Sequence, residues 1–460
     1  MKKRRSLIMG AALLIILSIA GGYFGLKAIP PRYQTRLPEP LRQIAAPRTQ
    51  APILPTAVIQ FDTQALLADS TANTSETAEP TTSAPLPALV TTKVATLAAT
   101  PPGNSQTTAN LPTVTPSPMP TSTPTPIPAP PSVRLNGIQH QFQSWNNCGP
   151  ATLAMTLSYF GLNLKQEQTA AVLKPNPEDR NVSPWEMVDY VNQYTPYQAV
   201  FRVNGRIDTI RRLLSEGIPV IVEIGIDPPG EFRWMGWYGH YLLIVAYDDV
   251  AQQFWVYDSW FGTSEEPLTN ANPDGRILTY ADVQTYWPHF NRNYIALYRP
   301  EQTQTVADII GADMDDATMW QNALHKAQQD AAFDPENAFY WFNLGTAYNA
   351  HQEYEKAAQA FDQARAIGLP WRMMWYQFGP YEAYYQTGRY EDVILLADVT
   401  LQDRPYFEES FYYKGLALEA LGKHEEAVEL WKKAAEFNPN YRPAQETLSQ
   451  LENGGSISNQ

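Results

Sequence analysis

The stretch "QHQFQSWNNCGPATLAMTLSYFG", from Gln139 to Gly161, contains Cys148, the only cysteine of the 460-residue chain. A chain with one cysteine cannot form an intramolecular disulfide. The thiol is therefore either a reactive group or a small buried apolar side chain. The residues on both sides of it bear on that choice.

The residues after Cys148 predict a helix over Ala151–Tyr159. Pro150 suits the first turn, where its missing N–H is not needed, and Gly161 suits the C-terminal end. One face of the helix is apolar and contains Leu153, Leu157 and Phe160. Cys148 is thus predicted at a helix N-terminus, where the helix dipole stabilises a thiolate and lowers the thiol pKa.

Residues 132–300, which include this helix, are predicted to form an α+β domain. Helices are expected first, and short antiparallel strands follow them. The further predicted helices are Pro184–Gln193 and Ile207–Glu216, and the predicted strands are Pro219–Ile226, Tyr241–Tyr247 and Gln253–Asp258.

A thiolate nucleophile needs a base, and His240 begins the apolar strand "HYLLIVAYDD". Asp258 ends the next strand. A hairpin loop of three or five residues places His240 and Asp258 on one sheet face, whereas a two-residue loop separates them. Asp248 and Asp249 remain alternatives for the acid. His140 is expected at the surface near the site.

Two further aromatic or histidine-containing stretches have open roles. His289, in "YWPHF", is expected to be structural. The loop "EFRWMGWYGHY", Glu231 to Tyr241, either lines a substrate groove or packs its tryptophans into the core of its own domain.

These blocks together resemble the C39-like branch of papain-like cysteine peptidases, over about Leu135 to Tyr298. The resemblance rests on "QSWNNCGPATLAM", "GHYLLIVAYD" and "VYDS", which follow one another in the expected order. It implies Cys148 as nucleophile, His240 as general base and Asp258 as the orienting acid. It also implies a glutamine donor for the oxyanion.

The position of that glutamine departs from the family pattern. Such peptidases usually have it about six residues before the cysteine, where this chain has Phe142. Gln143 is the preferred candidate and Gln141 the alternative. The backbone N–H of Cys148 is the expected second donor.

Residues 315–452 are predicted to form an all-α solenoid that resembles tetratricopeptide repeats. "WFNLGTAYNAHQEYEKAAQAFDQA" (Trp341 to Ala364) realigns with "YKGLALEALGKHEEAVELWKKA" (Tyr413 to Ala434) at an offset of 70 residues. A divergent unit lies between them and lacks the Leu-Gly pair. Such repeats imply binding of a protein partner or an extended peptide.

The N-terminal part predicts a single-pass membrane protein. Residues 6–26 are uncharged and reach about 30 Å as a helix, enough for a bilayer core. The basic run Lys2–Arg5 predicts a cytoplasmic N-terminus and exported domains. Cleavage as a signal peptide near "SIAGG" is the alternative. Residues 27–131, rich in Pro, Thr, Ala and Ser, are predicted to be a disordered linker.

The formal net charge of −14 argues against nucleic-acid binding. No metal-ligand cluster, phosphate loop or dinucleotide motif stands out, so neither a metal nor a cofactor is expected. The sequence therefore favours a membrane-anchored, extracytoplasmic cysteine peptidase whose repeats bind a substrate or partner protein. Two alternatives remain: an inactive tethered peptide-binding scaffold, and an acyl transferase that uses the same triad.

Overall fold

The computed structural model describes residues 41, 53–57, 62–68, 128–179, 181–227, 236–263 and 272–453. The described residues before 71 and from 129 onward belong to one compact unit. The predicted membrane helix at 6–26 lies outside the described residues, as does most of the predicted linker. Within the described ranges, no helix has both the length and the apolar character needed to cross a membrane.

In the α+β region three consecutive helices come before most of the strands, and four consecutive strands then pair antiparallel. Its strands are β1 (Ser132–Arg134), β2 (Gln198–Arg202), β3 (Val220–Ile226), β4 (Tyr238–Asp248), β5 (Gln253–Asp258), β6 (Arg276–Thr279) and β7 (Tyr294–Tyr298). Its helices, after α1 (Thr63–Ala68) near the N-terminus, are α2 (Cys148–Tyr159), α3 (Gln166–Leu173), α4 (Pro184–Tyr194), α5 (Ile207–Ser215), α6 (Tyr280–Tyr286) and α7 (Thr303–Ile310). A 3₁₀ turn, Trp287–Phe290, separates α6 from β7.

The seven strands of the described region form one sheet in the order β2-β7-β3-β4-β5-β6, with β1 paired to β4. Buried apolar residues cover both faces. One face includes Leu242 and Ile244 and packs against α5 and α7. The other face includes Leu243 and packs against α2 and α4. This double burial explains why β4 is apolar almost throughout.

A β-bulge at Val245 sets the register between β4 and β5. The loop between the strands has four residues, 249–252, because Asp248 pairs with Gln253. An even loop alone would place His240 and Asp258 on opposite faces. The pairing then shifts between Ile244 and Ala246, so that Leu242 lies opposite Asp258. The loop therefore has neither the three nor the five residues that a shared face needs in a regular hairpin, and the bulge restores the shared face.

The repeat region is all helical and follows residue 315. Its helices are α8 (Asp316–Phe333), α9 (Ala338–Ala350), α10 (Tyr354–Ile367), α11 (Gly379–Gln386), α12 (Tyr390–Asp403), α13 (Glu408–Ala420), α14 (His424–Phe437) and α15 (Arg442–Glu452). In the helix pairs α9–α10 and α13–α14, a large ring of the second helix fills the space over a glycine of the first. A Cβ on Gly345 would lie 2.6 Å from Phe361, and one on Gly415 would lie 2.5 Å from Trp431.

The divergent middle pair, α11–α12, reverses this arrangement of large and small residues. Helix α12 starts at Tyr390 and α10 at Tyr354, an offset of 36 residues. At that offset Tyr381 replaces Gly345 and Ala397 replaces Phe361. Both are buried in one apolar cluster, and the Tyr381 hydroxyl lies 2.9 Å from Ser410 Oγ. The missing glycine is therefore compensated by a small residue on the facing helix.

Two pieces of the predicted linker are folded against the repeats, which corrects the prediction of disorder for them. Leu54 N donates to Leu369 O at 3.0 Å, and Ile53 forms an antiparallel bridge with Pro370. In α1, the Leu66 carbonyl accepts a 2.7 Å hydrogen bond from the Tyr348 hydroxyl. Leu54 and Leu66 are buried in the same cluster as the repeat core. The composition suggested disorder, but these few apolar residues have a surface to pack on.

We expect Leu66→Ala to lower the free energy of unfolding by about 2–4 kcal/mol, because it leaves a cavity between α1 and the repeats. Gln64→Ala, at an exposed position of the same helix, should change it by less than about 0.5 kcal/mol. Urea unfolding followed by tryptophan fluorescence measures both. Equal stability of the two variants would show that this segment is not docked.

Candidate active site

Cys148 is the first residue of α2, three residues earlier than the sequence predicted for the helix start. Its side chain is half-buried. Its backbone N–H lies in the first turn, where no intrahelical acceptor exists. Gly161, with φ of +89°, ends the helix as predicted: Leu162 N donates to Leu157 O and Gly161 N to Ser158 O.

The loop before Cys148 is held by two side chains that the sequence did not single out. Gln166 Oε1 accepts from Ser144 N and from Asn147 Nδ2, both at 2.7 Å, and its Nε2 donates to Phe142 O. The Lys174 ammonium donates to the Asn146 carbonyl at 2.8 Å. Both residues come from α3 or its end and satisfy loop groups that are otherwise hard to pair. They fix the path of the chain into the cysteine.

His240 connects the cysteine to a buried carboxylate. Its Nε2 lies 2.8 Å from Asp258 Oδ1. The imidazole also lowers the pKa of the Cys148 thiol through its positive charge, which places it beside the sulfur. Asp258 is completely buried and His240 is 3% exposed. The three side chains predicted from sequence therefore lie in one connected row.

Asp258 is held from several directions in addition to His240. Arg276, from β6, donates to Asp258 Oδ2 at 2.8 Å. The backbone N–H groups of Trp260 and Phe261 donate to Oδ1 at 2.8 and 3.0 Å. A buried carboxylate needs such partners to remain ionised. Arg276 was missed at the sequence level, where an isolated arginine at the start of a short strand gives no signal.

The charges in this row favour a thiolate–imidazolium pair. Burial raises the pKa of the Cys148 thiol, but the hydrogen bond and positive charge of His240 outweigh it and lower the pKa. Burial lowers the pKa of His240, but the charge of Asp258 raises it above the usual histidine range. Burial also raises the pKa of Asp258, and the charges of His240 and Arg276 hold it below the usual carboxyl range.

The two candidate glutamines have different surroundings. Gln141 is engaged by the loop after α2: its Nε2 donates to Leu164 O and its Oε1 accepts from Gln166 N. Gln143 is tied to Ser259, the residue after Asp258, through its backbone N–H and its Oε1, both at 2.7 Å. In the described part of the chain no acceptor binds Gln143 Nε2. This donor is thus available for a substrate oxygen.

The remaining sequence candidates lie elsewhere or bind the backbone. His140 Nε2 donates to the carbonyl oxygen of Asp258 at 2.8 Å, at the edge of the site. Asp249 binds Arg211 and Tyr280, and Asp248 accepts from the turn N–H groups after it. Neither aspartate hydrogen-bonds His240. Within the described residues, no group of three or more His, Cys, Asp or Glu is placed to hold a metal ion.

His289 and the described part of the aromatic loop before His240, residues 236–239, are packing elements. The ring of His289 accepts from Trp237 Nε1 at 3.1 Å, and burial lowers its pKa to about 3. Trp237 is buried in the cluster that forms the repeat core. Trp237 therefore does not line a groove, and it packs against the repeat region as well as against its own domain. Residues 231–235 of this loop lie outside the described residues.

A buried acid, Glu223, lies beside the site and was not a sequence candidate, since it stands in the apolar strand β3. Asn293 Nδ2 donates to Glu223 Oε2 at 2.8 Å. The Tyr241 hydroxyl donates to Val182 O at 2.7 Å. Burial raises the pKa of Glu223 to about 8. It is therefore neutral at pH 7.

Comparison with known proteins agrees with this division of the chain. Residues 135–295 match the family model of the Peptidase_C39 like family, and residues 408–441 match a tetratricopeptide repeat. The chain thus contains a C39-like peptidase domain followed by a tetratricopeptide repeat. No curated protein matches it.

Several solved structures are similar to parts of the chain. A C39-like peptidase from Bacillus anthracis shares 16% identity over 36% of this chain and 98% of its own, with a TM-score of 0.29. A double glycine motif protease from an AMS/PCAT transporter, in complex with a leader peptide, shares 16% over 36% and 92%, with a TM-score of 0.24. MamA shares 15% over 30% and 81%, with a TM-score of 0.27.

The bulge at Val245 gives a direct test of the register. Deleting Val245 should return His240 to the face opposite Asp258 and raise the thiol pKa to about 8.5 or above. The pH dependence of Cys148 alkylation measures this pKa. A glycine inserted between Val250 and Ala251 lengthens the loop without changing the register, and should leave the pKa unchanged. A low thiol pKa in a folded deletion variant would contradict the register argument.

The raised pKa of Glu223 predicts a pH-dependent penalty on stability. Between the unfolded pKa, about 4.3, and the folded pKa, about 8, the unfolded chain loses this proton and the folded chain keeps it. The wild type should therefore lose stability relative to Glu223→Gln as the pH rises from 5 to 8, by at most about 1.4 kcal/mol per pH unit.

Urea unfolding of both proteins at four pH values measures this difference. Glu216→Gln, at an exposed position, is the matched control. A difference between Glu223→Gln and the wild type that is independent of pH would show that Glu223 is ionised in the folded protein.

Proposed function

We propose that the protein is a membrane-anchored, extracytoplasmic cysteine peptidase that hydrolyses peptide bonds through Cys148, His240 and Asp258. The observation that supports it best is the position of one imidazole between the thiol at a helix N-terminus and a fully buried carboxylate. Thiol, base and orienting acid in this order are the parts that nucleophilic acyl transfer requires.

In the proposed reaction the Cys148 thiolate attacks the carbonyl carbon of the scissile amide and forms a C–S bond. The C–N bond then breaks, and the imidazolium of His240 gives its proton to the leaving amine. A water molecule attacks the thioester while His240 accepts its proton, which releases the acid product and regenerates the thiolate. Asp258 keeps the imidazole oriented and stabilises its positive charge throughout.

Two donors are proposed to stabilise the oxyanion of the tetrahedral intermediates. One is the backbone N–H of Cys148, which the start of α2 leaves without an intrahelical acceptor. The other is Gln143 Nε2, whose amide is oriented by Ser259 through its oxygen. Preorganised donors of this kind are typically worth about 10²–10³ in rate each.

The repeat region is proposed to bind the substrate or a partner protein, as solenoids of this type do with extended peptides. The predicted helix at residues 6–26 would hold both domains at the outer face of the membrane. The buried, ion-paired triad favours an active enzyme over a scaffold, because unused buried charges are costly to keep. Product analysis with and without an added amine separates hydrolysis from acyl transfer.

The proposal is tested by the alkylation rate of Cys148 as a function of pH. The wild type should react rapidly well below pH 8, and His240→Ala should lose this reactivity because the thiolate loses its cation. His325→Ala, at an exposed position in the repeat region, should match the wild type. A wild-type profile centred near pH 8.5 and unaffected by His240→Ala would refute the proposed peptidase.

A further inference from the structure

The start of strand β4 is held by the repeat region, two residues before His240. Arg372 lies in a 3₁₀ turn between α10 and α11, Trp371–Trp375. Its Nη1 donates to Trp237 O at 3.0 Å, and its guanidinium carbon lies 3.9 Å from the centre of the Tyr238 ring. One repeat side chain thus fixes both the backbone and the ring of adjacent residues in this segment.

Gly239, the residue before His240, lies in close contact with a second repeat side chain. A Cβ at this position would lie 2.5 Å from the Phe290 ring and 3.1 Å from the Tyr376 ring. Tyr376 also meets Trp237 and Phe290 edge to face, with ring centres 5.8 Å apart in both cases. The strand is therefore packed without a gap where it enters the active site.

The contact between the peptidase domain and the repeat region extends beyond these residues and includes hydrogen bonds and stacked rings. Asn343 Nδ2 donates to Pro288 O at 2.7 Å, and Gln377 Nε2 donates to His289 O at 3.1 Å. The His289 ring stacks on Phe339 of α9 with centres 3.6 Å apart. Hydrogen bonds and stacked rings of this kind define one relative orientation of the two surfaces.

The same aromatic contacts reach the residues that hold Asp258. Tyr238 meets Trp375 of the repeat region and Trp260 of the turn after β5, with ring centres 6.4 and 6.3 Å apart. The backbone N–H of Trp260 is one of the donors to the Asp258 carboxylate. Both the base and its acid are thus adjacent to surfaces that the repeats cover.

We infer that Arg372 and Tyr376 are positioning residues for His240, so that the repeat region is a structural part of the active site as well as a recruitment surface. The inference rests on the proposed peptidase function. His240 must meet Cys148 and Asp258 at once, and an error of about 1 Å in such a geometry costs about 10²-fold in rate. The strand start that sets its position has its packing partners in the repeats.

The test compares Arg372→Ala and Tyr376→Leu in the full chain with Tyr413→Ala. Tyr413 stacks on Tyr381 inside the repeats, so its variant reports on a loss of repeat stability alone. The charged and titratable groups facing the thiol, Lys174, Glu223, His240 and Tyr241, are unchanged in all three variants. The readouts are the pH profile of Cys148 alkylation and the melting temperature.

We expect Arg372→Ala and Tyr376→Leu to raise the apparent thiol pKa by about one unit, which lowers the alkylation rate near pH 6 about tenfold. Arg372→Lys, which retains the charge, should recover part of the rate. Tyr413→Ala should lower the melting temperature and leave the pH profile unchanged. Tyr376→Leu keeps an apolar side chain in the gap, so it provides a folded variant if Arg372→Ala fails to fold.

The outcomes separate this inference from the proposed function. An activated thiol in the wild type, with an unshifted pH profile in Arg372→Ala and Tyr376→Leu, would overturn the positioning role alone. A wild-type profile that matches His240→Ala would overturn the proposed function. A profile shifted equally by Tyr413→Ala would also overturn the positioning role, since any loosening of the repeats would then have this effect.

Discussion

The arrangement of the active site depends on the register between strands β4 and β5. His240 and Asp258 lie on strands joined by an even-length loop, which would separate them across the sheet. Relative to β5, the extra residue at Val245 moves every β4 side chain between the bulge and the active site to the other face of the sheet. The carbonyl of Val245 still has a hydrogen-bond partner, since Leu135 N donates to it at 2.8 Å. The bulge is thereby held by the residue that follows β1.

The second constraint is the cost of placing charges inside the domain. Asp258 is ionised because His240 and Arg276 face it, whereas Glu223, which faces the neutral amide of Asn293, keeps its proton. Two buried acids in one domain thus have opposite charge states because their neighbours differ. A second negative charge near Cys148 would oppose formation of the thiolate. The neutral state of Glu223 is consistent with the ion pair that the site requires.

The sequence predicted those features that have a local or periodic signal. The helix that follows Cys148, the strand Gln253–Asp258 and the outer repeat pairs follow from spacing and from Gly, Pro and apolar patterns, although the helix begins three residues before its predicted start. The bulge at Val245 has no such signal, because one more apolar residue in an apolar strand does not alter the hydrophobic pattern of the sequence. Gln166 and Arg276 were missed because their partners are distant in the chain. The docked segment around Leu54 was missed because its packing partner lies about 300 residues away.

If the predicted helix at residues 6–26 anchors the protein, the docking of residues 53–57 and α1 on the repeats has a consequence for its release from the membrane. Residues 71–127 connect this docked segment to the peptidase domain along the chain. A single proteolytic cut within them would break the covalent path from the predicted anchor to the catalytic domain. The buried side chains of Leu54 and Leu66, with their backbone hydrogen bonds, would remain as a noncovalent link. Release of the peptidase domain from such an anchor would therefore require two events, a cut and the dissociation of this segment.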